Sequence, residues 1–360
     1  LAGSLGALVM AVWSDGLFQR LLPAERPFWI DFGVDGRVLA WTLAVGVLAC
    51  LVTGLAPALQ GARAPAGLTA GGSGRRVHGA GRRGLIRAQV ALASLLVVAA
   101  GVTVRALVEL RRADPGLDPD GVLVLPVILP PWDYPDGPAR ARGALSVLEA
   151  AGQLPEVQAV SAMIVVPFLG SGPEVALEVE GPVPLRAPVG VLNAFAGDYP
   201  GALGLPLVRG RLPGPDEERE GAPVAVVSEL LAARLWPGVD PLGKRVRHGA
   251  PGARSPTVPP GQEWLEVVGV VADVHQEGPS RPVRGQLYVP LTRLAPAWMS
   301  LVMRTRGQAL AAVAPVQARL VELDPGLATL EPTTLELALG LSLWTELLAT
   351  RLLVGFAALA

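Results

Sequence analysis

Residues 223–245 read Pro-Val-Ala-Val-Val-Ser-Glu-Leu-Leu-Ala-Ala-Arg-Leu-Trp-Pro-Gly-Val-Asp-Pro-Leu-Gly-Lys-Arg. Val224–Val227 is a short, mostly β-branched apolar run, the pattern of a buried strand. Ser228 follows, placed as an N-cap for a helical stretch that ends at Leu235. Pro237, Gly238, Pro241 and Gly243 then break the chain, and Lys244–Arg247 returns to a β-like pattern. A strand, a helix, a turn and a second strand within one short segment predict a domain that mixes α and β.

The same segment holds a near miss. Gly238 to Lys244 fits the first seven positions of a phosphate-binding P-loop, but the eighth, Arg245, stands where Ser or Thr must hold magnesium. A P-loop also follows a strand and opens a helix, whereas this stretch follows a helical pattern. Nucleotide binding is therefore not expected here.

Outward from this segment the alternation continues from Arg111 to about Ser342. Strand-like runs are Val122–Leu129, Val157–Val166, Val175–Glu180, Leu265–Val274, Gln286–Val289 and Ser300–Arg304; helical stretches are Ala139–Gln153 and Leu310–Leu323. Pro- and Gly-rich stretches at Pro182–Pro188, Pro213–Glu220 and Gly249–Gly261 read as loops. The expectation is an α+β domain over residues 111–342, divided into two subdomains.

The flanks differ in kind. Val38–Leu59 carries no charge; at about 1.5 Å rise per residue it is long enough for a hydrocarbon core of about 30 Å. Ala88–Val104 is also uncharged, with Ala106–Val108 beyond it and Arg105 placed to snorkel. Leu1–Trp13 reads as the tail of a membrane helix, and Leu347–Ala360 as the start of another, so both ends look cut from something longer. Gly61–Arg87 holds Arg63, Arg75, Arg76, Arg82, Arg83 and Arg87 without one acidic residue. Between apolar runs such a loop stays in the cytoplasm. Alternation then puts 14–37 and 111–342 on the outer face, with Trp29, Trp41 and Trp344 near the outer interface. The organisation expected is membrane helices in 1–60, a flexible linker at 61–87, a transmembrane helix at 88–110, the extracytoplasmic domain at 111–342 and a further transmembrane start at 343–360.

Composition agrees. Of 360 residues, 51% are hydrophobic and 17% charged, against about a quarter charged in soluble domains; the mean hydropathy is +0.45. A net charge of −1 recruits neither nucleic acid nor acidic substrates. The single cysteine, Cys50, excludes an intrachain disulfide and a thiolate zinc site. His78, His248 and His275 have no second ligand at metal-binding spacing, and no HExxH or Gly-x-Ser-x-Gly stretch exists. The acidic turns Asp114–Gly121 and Asp324–Gly326 lack the EF-hand ligand pattern. No catalytic, cofactor-binding or metal-ligating residue is expected.

The quoted segment resembles the periplasmic core domain of MacB-type ABC transporter permeases. Three further stretches are similar to that family in order and spacing: Tyr199 with Leu203-Gly204-Leu205-Pro206-Leu207-Val208-Arg209-Gly210-Arg211; Glu266-Val267-Val268-Gly269-Val270-Val271-Ala272-Asp273-Val274; and Leu287-Tyr288-Val289-Pro290. Gly54–Leu59 with Arg63 resembles the end of an FtsX-like membrane helix. The Arg-rich linker and Ala113-Asp114-Pro115-Gly116-Leu117-Asp118 resemble the subgroup with two fused halves, the duplicated orphan permeases. What the resemblance implies is a set of structural signature residues: Arg209, Gly210, Arg211, Trp236, Pro237, Asp240, Pro241, Gly243, Lys244, Gly269 and Asp273. It implies no cofactor. It also implies a bacterial inner-membrane permease that works with a separate cytoplasmic ABC ATPase, in a lipid bilayer, alongside periplasmic or outer-membrane components. ATP hydrolysis in the partner would change the shape of the outer domain. The alternative is a membrane-anchored extracytoplasmic binding or regulatory scaffold.

Overall fold

The computed structural model describes residues 75–112, 114–181, 186–248 and 263–359. The expected membrane segments before residue 60, and most of the Arg-rich linker, lie outside these residues. Residues 87–360 form one compact unit, and only 75–86 of a separate first unit are described.

Helix α1, Arg75–Arg112, begins ahead of the expected start at Ala88. The last part of the presumed flexible linker is thus helical: Arg75–Arg87 contains no proline, and arginine and alanine are good helix formers. Within α1, Gln89–Leu110 is long and apolar enough to cross a membrane. Its apolar side chains stand in the open, with Leu95 65%, Val98 63% and Val102 64% exposed. Arg105 forms a 2.9 Å ion pair with Glu109 one turn on.

The sheet explains the apolar runs. β1 (Val122–Ile128), β2 (Val157–Met163), β3 (Glu174–Val179) and β4 (Arg186–Gly197) are followed by β5 (Leu207–Gly210), β6 (Val224–Ser228), β7 (Arg245–His248), β8 (Leu265–Val271), β9 (Gln286–Pro290) and β10 (Trp298–Thr305), with the two-residue strands β11 (Ala328–Thr329) and β12 (Thr333–Thr334) at the end. They form one mixed sheet. Successive residues enter opposite cores, because side chains alternate across a strand. In β1, Leu123, Leu125 and Val127 join one core while Val122 and Val124 join the other; β10 divides likewise, with Leu301 and Val302 on opposite faces. Both faces are covered, so the strands are apolar throughout rather than alternating.

The first core is packed by α2 (Gly137–Gly152), α5 (Glu229–Leu235) and α7 (Val313–Leu323). The second holds residues of α3 (Tyr199–Leu203) together with Leu117 and Leu335. Short helices α4 (Pro215–Glu220) and α6 (Leu291–Leu294) link strands, and α8 (Leu335–Ser342) and α9 (Trp344–Leu359) end the chain.

The expected division into two subdomains is not seen: residues 87–360 are one compact unit with one sheet, and within that sheet two strand systems share β4. An open wing runs β11-β1-β10-β2-β4, and beyond it β4-β3-β7-β8-β6-β9 returns to β4 through a parallel β4–β9 pairing, closing a ring. One edge of β4 meets β3 over its first half and β2 over its last residues; β9 lies along the other edge. The sequence reading missed this strand, because Pro188 and Gly190 look like loop residues. The register shifts between Val175↔Gly190 and Leu177↔Ala187, so Pro188 sits in an irregularity where no ladder bond is asked of it. A Cβ on Gly190 would come within 2.8 Å of Leu177 Cδ1.

Candidate functional site

The site begins where the chain joins the domain. Asp114-Pro115-Gly116-Leu117-Asp118 leads from α1 into β1, and β12 leads from the domain into α8. Both connections are tied into the same end of the sheet. β12 pairs with the start of β1, Leu123 facing Thr334 and Val124 facing Thr333. The Gly121 N–H donates to Glu336 Oε1 at 3.3 Å. Leu117 and Leu335 are buried in one core. Arg304, on β10, donates to the Asp118 carboxylate at 2.9 Å, to the Asp118 and Asp120 carbonyls and to the Gly201 carbonyl. A guanidinium offers five donors in a fixed fork and can bridge several acceptors at once. We call this assembly the neck.

The residues expected as a signature surround the strand pair next to it. Gly210 and Gly269 face each other in the β5–β8 register. Gly210 has φ +73°, and a Cβ there would strike the Val268 carbonyl; a Cβ on Gly269 would strike the Arg211 carbonyl. Two glycines are required because two backbones meet without room for side chains. Arg211 fixes the following turn: its N–H donates to Val268 at 2.9 Å, and its guanidinium grips both oxygens of Glu217 at 2.5 and 2.7 Å. That pairing, with the Gly214 N–H, holds the Glu217 carboxyl at about 2, below its ordinary 4.5.

The near-miss P-loop is a turn over the same strand pair. Gly238 and Gly243 both have positive φ. The Asp240 carboxylate accepts the Leu242 N–H at 3.2 Å, and Gly243 donates to the Val267 carbonyl of β8 at 2.8 Å. Lys244 and Pro237 are exposed, whereas Pro241 and Trp236 are buried. Trp236 caps the C-terminus of α5 and joins the first core. Arg209, exposed on β5, lines a shallow groove of about 360 Å³ with Val208, Glu229, Trp236, Asp240 and Pro241. The segment follows a helix and precedes β7, as the sequence implied. Its glycines serve a turn, and the loop forms no phosphate cradle at a helix N-terminus.

Asp273 joins the two groups. Its carboxylate accepts the Leu230 N–H at 2.9 Å at the start of α5, and its carbonyl lies where a Cβ of Gly116 would go. The glycine of the neck is therefore pressed against the residue that holds the first turn of α5. Beside them lies an aromatic trio: Phe195, Tyr199 and Tyr288, with ring centroids 5.0–6.1 Å apart. The two phenols share a 2.9 Å hydrogen bond, and the Tyr288 hydroxyl donates to Gln286 Oε1 at 2.8 Å. Burial pushes both phenols well above their usual range, so they stay neutral hydrogen-bonding groups. Sequence reasoning found Tyr199 and Tyr288 only as parts of stretches similar to a family. It missed Asn193, buried on β4, whose side-chain amide pairs with both the N–H and the carbonyl of Val165 at 3.1 and 2.8 Å.

β1 runs away from the neck, and at about 3.3 Å per residue its far end lies roughly 20 Å off. There an apolar cavity of about 750 Å³ opens among Ile164, Leu169, Leu192, Leu294, Trp298 and Leu330. Trp298 on its rim is 52% exposed. No group of three or more His, Cys, Asp or Glu side chains suited to a metal exists among the described residues. His248 is buried, and His275 sits in a turn with Nδ1 3.0 Å from the Arg281 carbonyl.

Residues 87–323 match the MacB-like periplasmic core domain family. The chain belongs to this family. A MacB-like core domain is an extracytoplasmic part of ABC-type permeases, and this one carries the mixed α and β fold just described. Among solved structures the chain is similar to the periplasmic region of MacB from Actinobacillus actinomycetemcomitans, at 16% identity and TM-score 0.40, covering 63% of this chain and 94% of that one. It is also similar to the extracellular domain of the noncanonic ABC-type transporter YknZ from Gram-positive bacteria, at 14% identity and TM-score 0.36, covering 58% and 100%. No curated protein matches the chain. The eleven residues expected as a signature lie, apart from Asp273, around β5, β8 and the turn over them.

Proposed function

We propose that this chain is the permease part of an ABC-type system in the bacterial inner membrane. ATP hydrolysis by a separate cytoplasmic ATPase moves its membrane helices, and the neck passes that movement to the outer domain. The observation that carries this reading is the double attachment at the neck: the incoming and outgoing segments pair with each other and share a core, and Arg304 ties the incoming one to β10 and α3. A displacement of α1 against α9 has no slack loop in which to dissipate, and Asp273 lies between the incoming segment and the ring. Energy enters in the partner, so the domain needs no catalytic group. The test is affinity purification of the full-length protein followed by reconstitution. An ABC ATPase that co-purifies, and whose turnover depends on the permease, supports the reading; a full-length protein that neither binds nor stimulates any ABC ATPase sinks it.

One observation favours the alternative of a binding or regulatory scaffold, namely the apolar cavity of about 750 Å³ at the far end, within the usual range for ligand pockets. A regulator would keep its partners in the membrane fraction when the ATPase partner is deleted; a transporter component would lose its export phenotype.

A further inference from the structure

The cavity at the far end of the sheet is set apart by the chemistry of its lining. Ile164, Leu192 and Leu294 line it, and Leu169, Trp298 and Leu330 at its mouth are each about half exposed. Among the described residues that line it, Arg293 is the one charged group. Its guanidinium is occupied: it donates to the Gly221 carbonyl at 2.7 Å and to Glu263 at 2.9 Å. Backbone groups of the wall are spent within the fold too. The Gly170 carbonyl accepts Gln276 Nε2 at 3.0 Å, and Asn193 meets both the N–H and the carbonyl of Val165. Ser300 adds a neutral hydroxyl. An ion entering here would give up its water and find no free partner, whereas an uncharged molecule bears no such cost. At about 30 Å³ for a group the size of a water molecule, 750 Å³ is room for roughly twenty non-hydrogen atoms. The indole at the mouth offers a face on which a flat ring can stack.

The same cavity is joined to the neck. Residues 164–173, between β2 and β3, supply much of its wall. Phe168 in their middle has φ +68°, a left-handed conformation that costs a bulky residue free energy. Its N–H donates to the Gln276 carbonyl at 2.8 Å, two residues from the Gln276 bond to Gly170. Gln276 is buried, and it belongs to a turn that touches both attachments of the neck. The neighbouring His275 N–H donates to the Pro115 carbonyl at 3.3 Å, and a Cβ on Gly278 would come within 2.6 Å of Ser342 Oγ. The strained segment is thus held from two sides, cavity and neck. Whatever adds contacts on one side favours the form that the other side holds.

We propose that this cavity binds an uncharged apolar molecule with an aromatic ring, and that its occupancy steadies the neck through Phe168, Gly170 and Gln276. The consequence for transport rests on the reading of the neck as the path of movement; the binding site itself does not.

The test uses the full chain in lipid nanodiscs and two fluorescent probes that differ by one sulfonate, phenylnaphthylamine and anilinonaphthalene sulfonate. The neutral probe also enters lipid, where its signal rises linearly with concentration. A saturable component, one probe per chain, is expected on top of that line, and it should be about tenfold weaker or more for the sulfonate. Trp298→Ala should weaken it about three- to tenfold. Ser300→Trp, which fills the cavity, and Leu169→Trp, which obstructs the mouth from a half-exposed position, should each abolish it. The site is overturned by the absence of a saturable component, by equal binding of the sulfonate, or by binding that survives both tryptophan variants. The link is read by amide hydrogen exchange in the same discs, with no ATPase present. The neutral probe should slow exchange at Phe168 and at His275 about tenfold. In Gln276→Leu the probe should still bind, while the slowing at His275 falls about threefold. Saturable binding with unchanged exchange at His275 in the wild type overturns the link. A full-length protein that stimulates no ATPase would sink the reading of the neck and leave each of these outcomes as it stands.

Discussion

At the level of single residues the glycines decide more than any charged group. Gly210→Ala and Gly269→Ala each force a Cβ into a carbonyl across the β5–β8 pair, and Gly210 adds a left-handed φ. Each should cost roughly 2–3 kcal/mol, seen as a lowered unfolding midpoint in denaturant; either variant at wild-type stability would refute the close approach. Glu217 supplies a pH dependence. Its folded value of about 2 lies below the ordinary 4.5, so the Arg211 pairing stabilises the fold above about pH 4.5, and that contribution fades as pH falls toward 2. Denaturant midpoints measured from pH 6 to pH 2 should fall in the wild type and fall less steeply in Glu217→Gln. Gly210, Arg211 and Gly269 were legible as members of a pattern similar to a family, but their reasons were not. Nothing in Arg209-Gly210-Arg211 tells that Gly210 faces Gly269, because that pairing joins positions far apart in the chain.

Among the elements, the contrast between β6 and β4 shows what a sequence can carry. Val224–Ser228 and the helix after it were readable because the run is apolar and Ser228 is a strong cap; its hydroxyl indeed accepts the Leu231 N–H, and it also takes the Gln286 N–H. β4 was hidden. Its proline falls where the ladder is interrupted, its glycine makes room for Leu177, and its asparagine replaces a missing backbone partner. Each is a tertiary arrangement that local propensity cannot express. Asn193→Leu should therefore be severe: it strands the Val165 N–H and carbonyl in a dry core, at about 2–5 kcal/mol, and a thermal melt of the purified chain would detect the loss. Asp273→Ala should cost about 1 kcal/mol by removing the acceptor of the Leu230 N–H in the first turn of α5, whose cap Ser228 remains, a difference that denaturant titration resolves. The long helix begins at Arg75, ahead of the expected Ala88, since the arginines that suggest a loop are also good helix formers.

For the whole molecule, the neck makes a prediction that separates folding from coupling. A four-residue Gly-Ser insertion between Asp120 and Gly121 should leave the sheet intact, because surface insertions add little closure entropy. It should nonetheless cut permease-dependent ATPase stimulation by about tenfold or more in reconstituted vesicles while ATPase binding persists. Unchanged stimulation would mean that motion does not travel through this joint. The return of the strand path to β4 has a further consequence, for survival in a crowded compartment. Strands with free edges invite other chains to add on. Here six strands close on one another, and among the described residues the edges that remain are short: β5, with four residues, β11 and β12, with two each, and the 157–160 stretch of β2 that lies beyond its pairing with β4. Templates that short give an incoming strand almost nothing to align against, so the domain should resist aggregation even when its far cavity stands open.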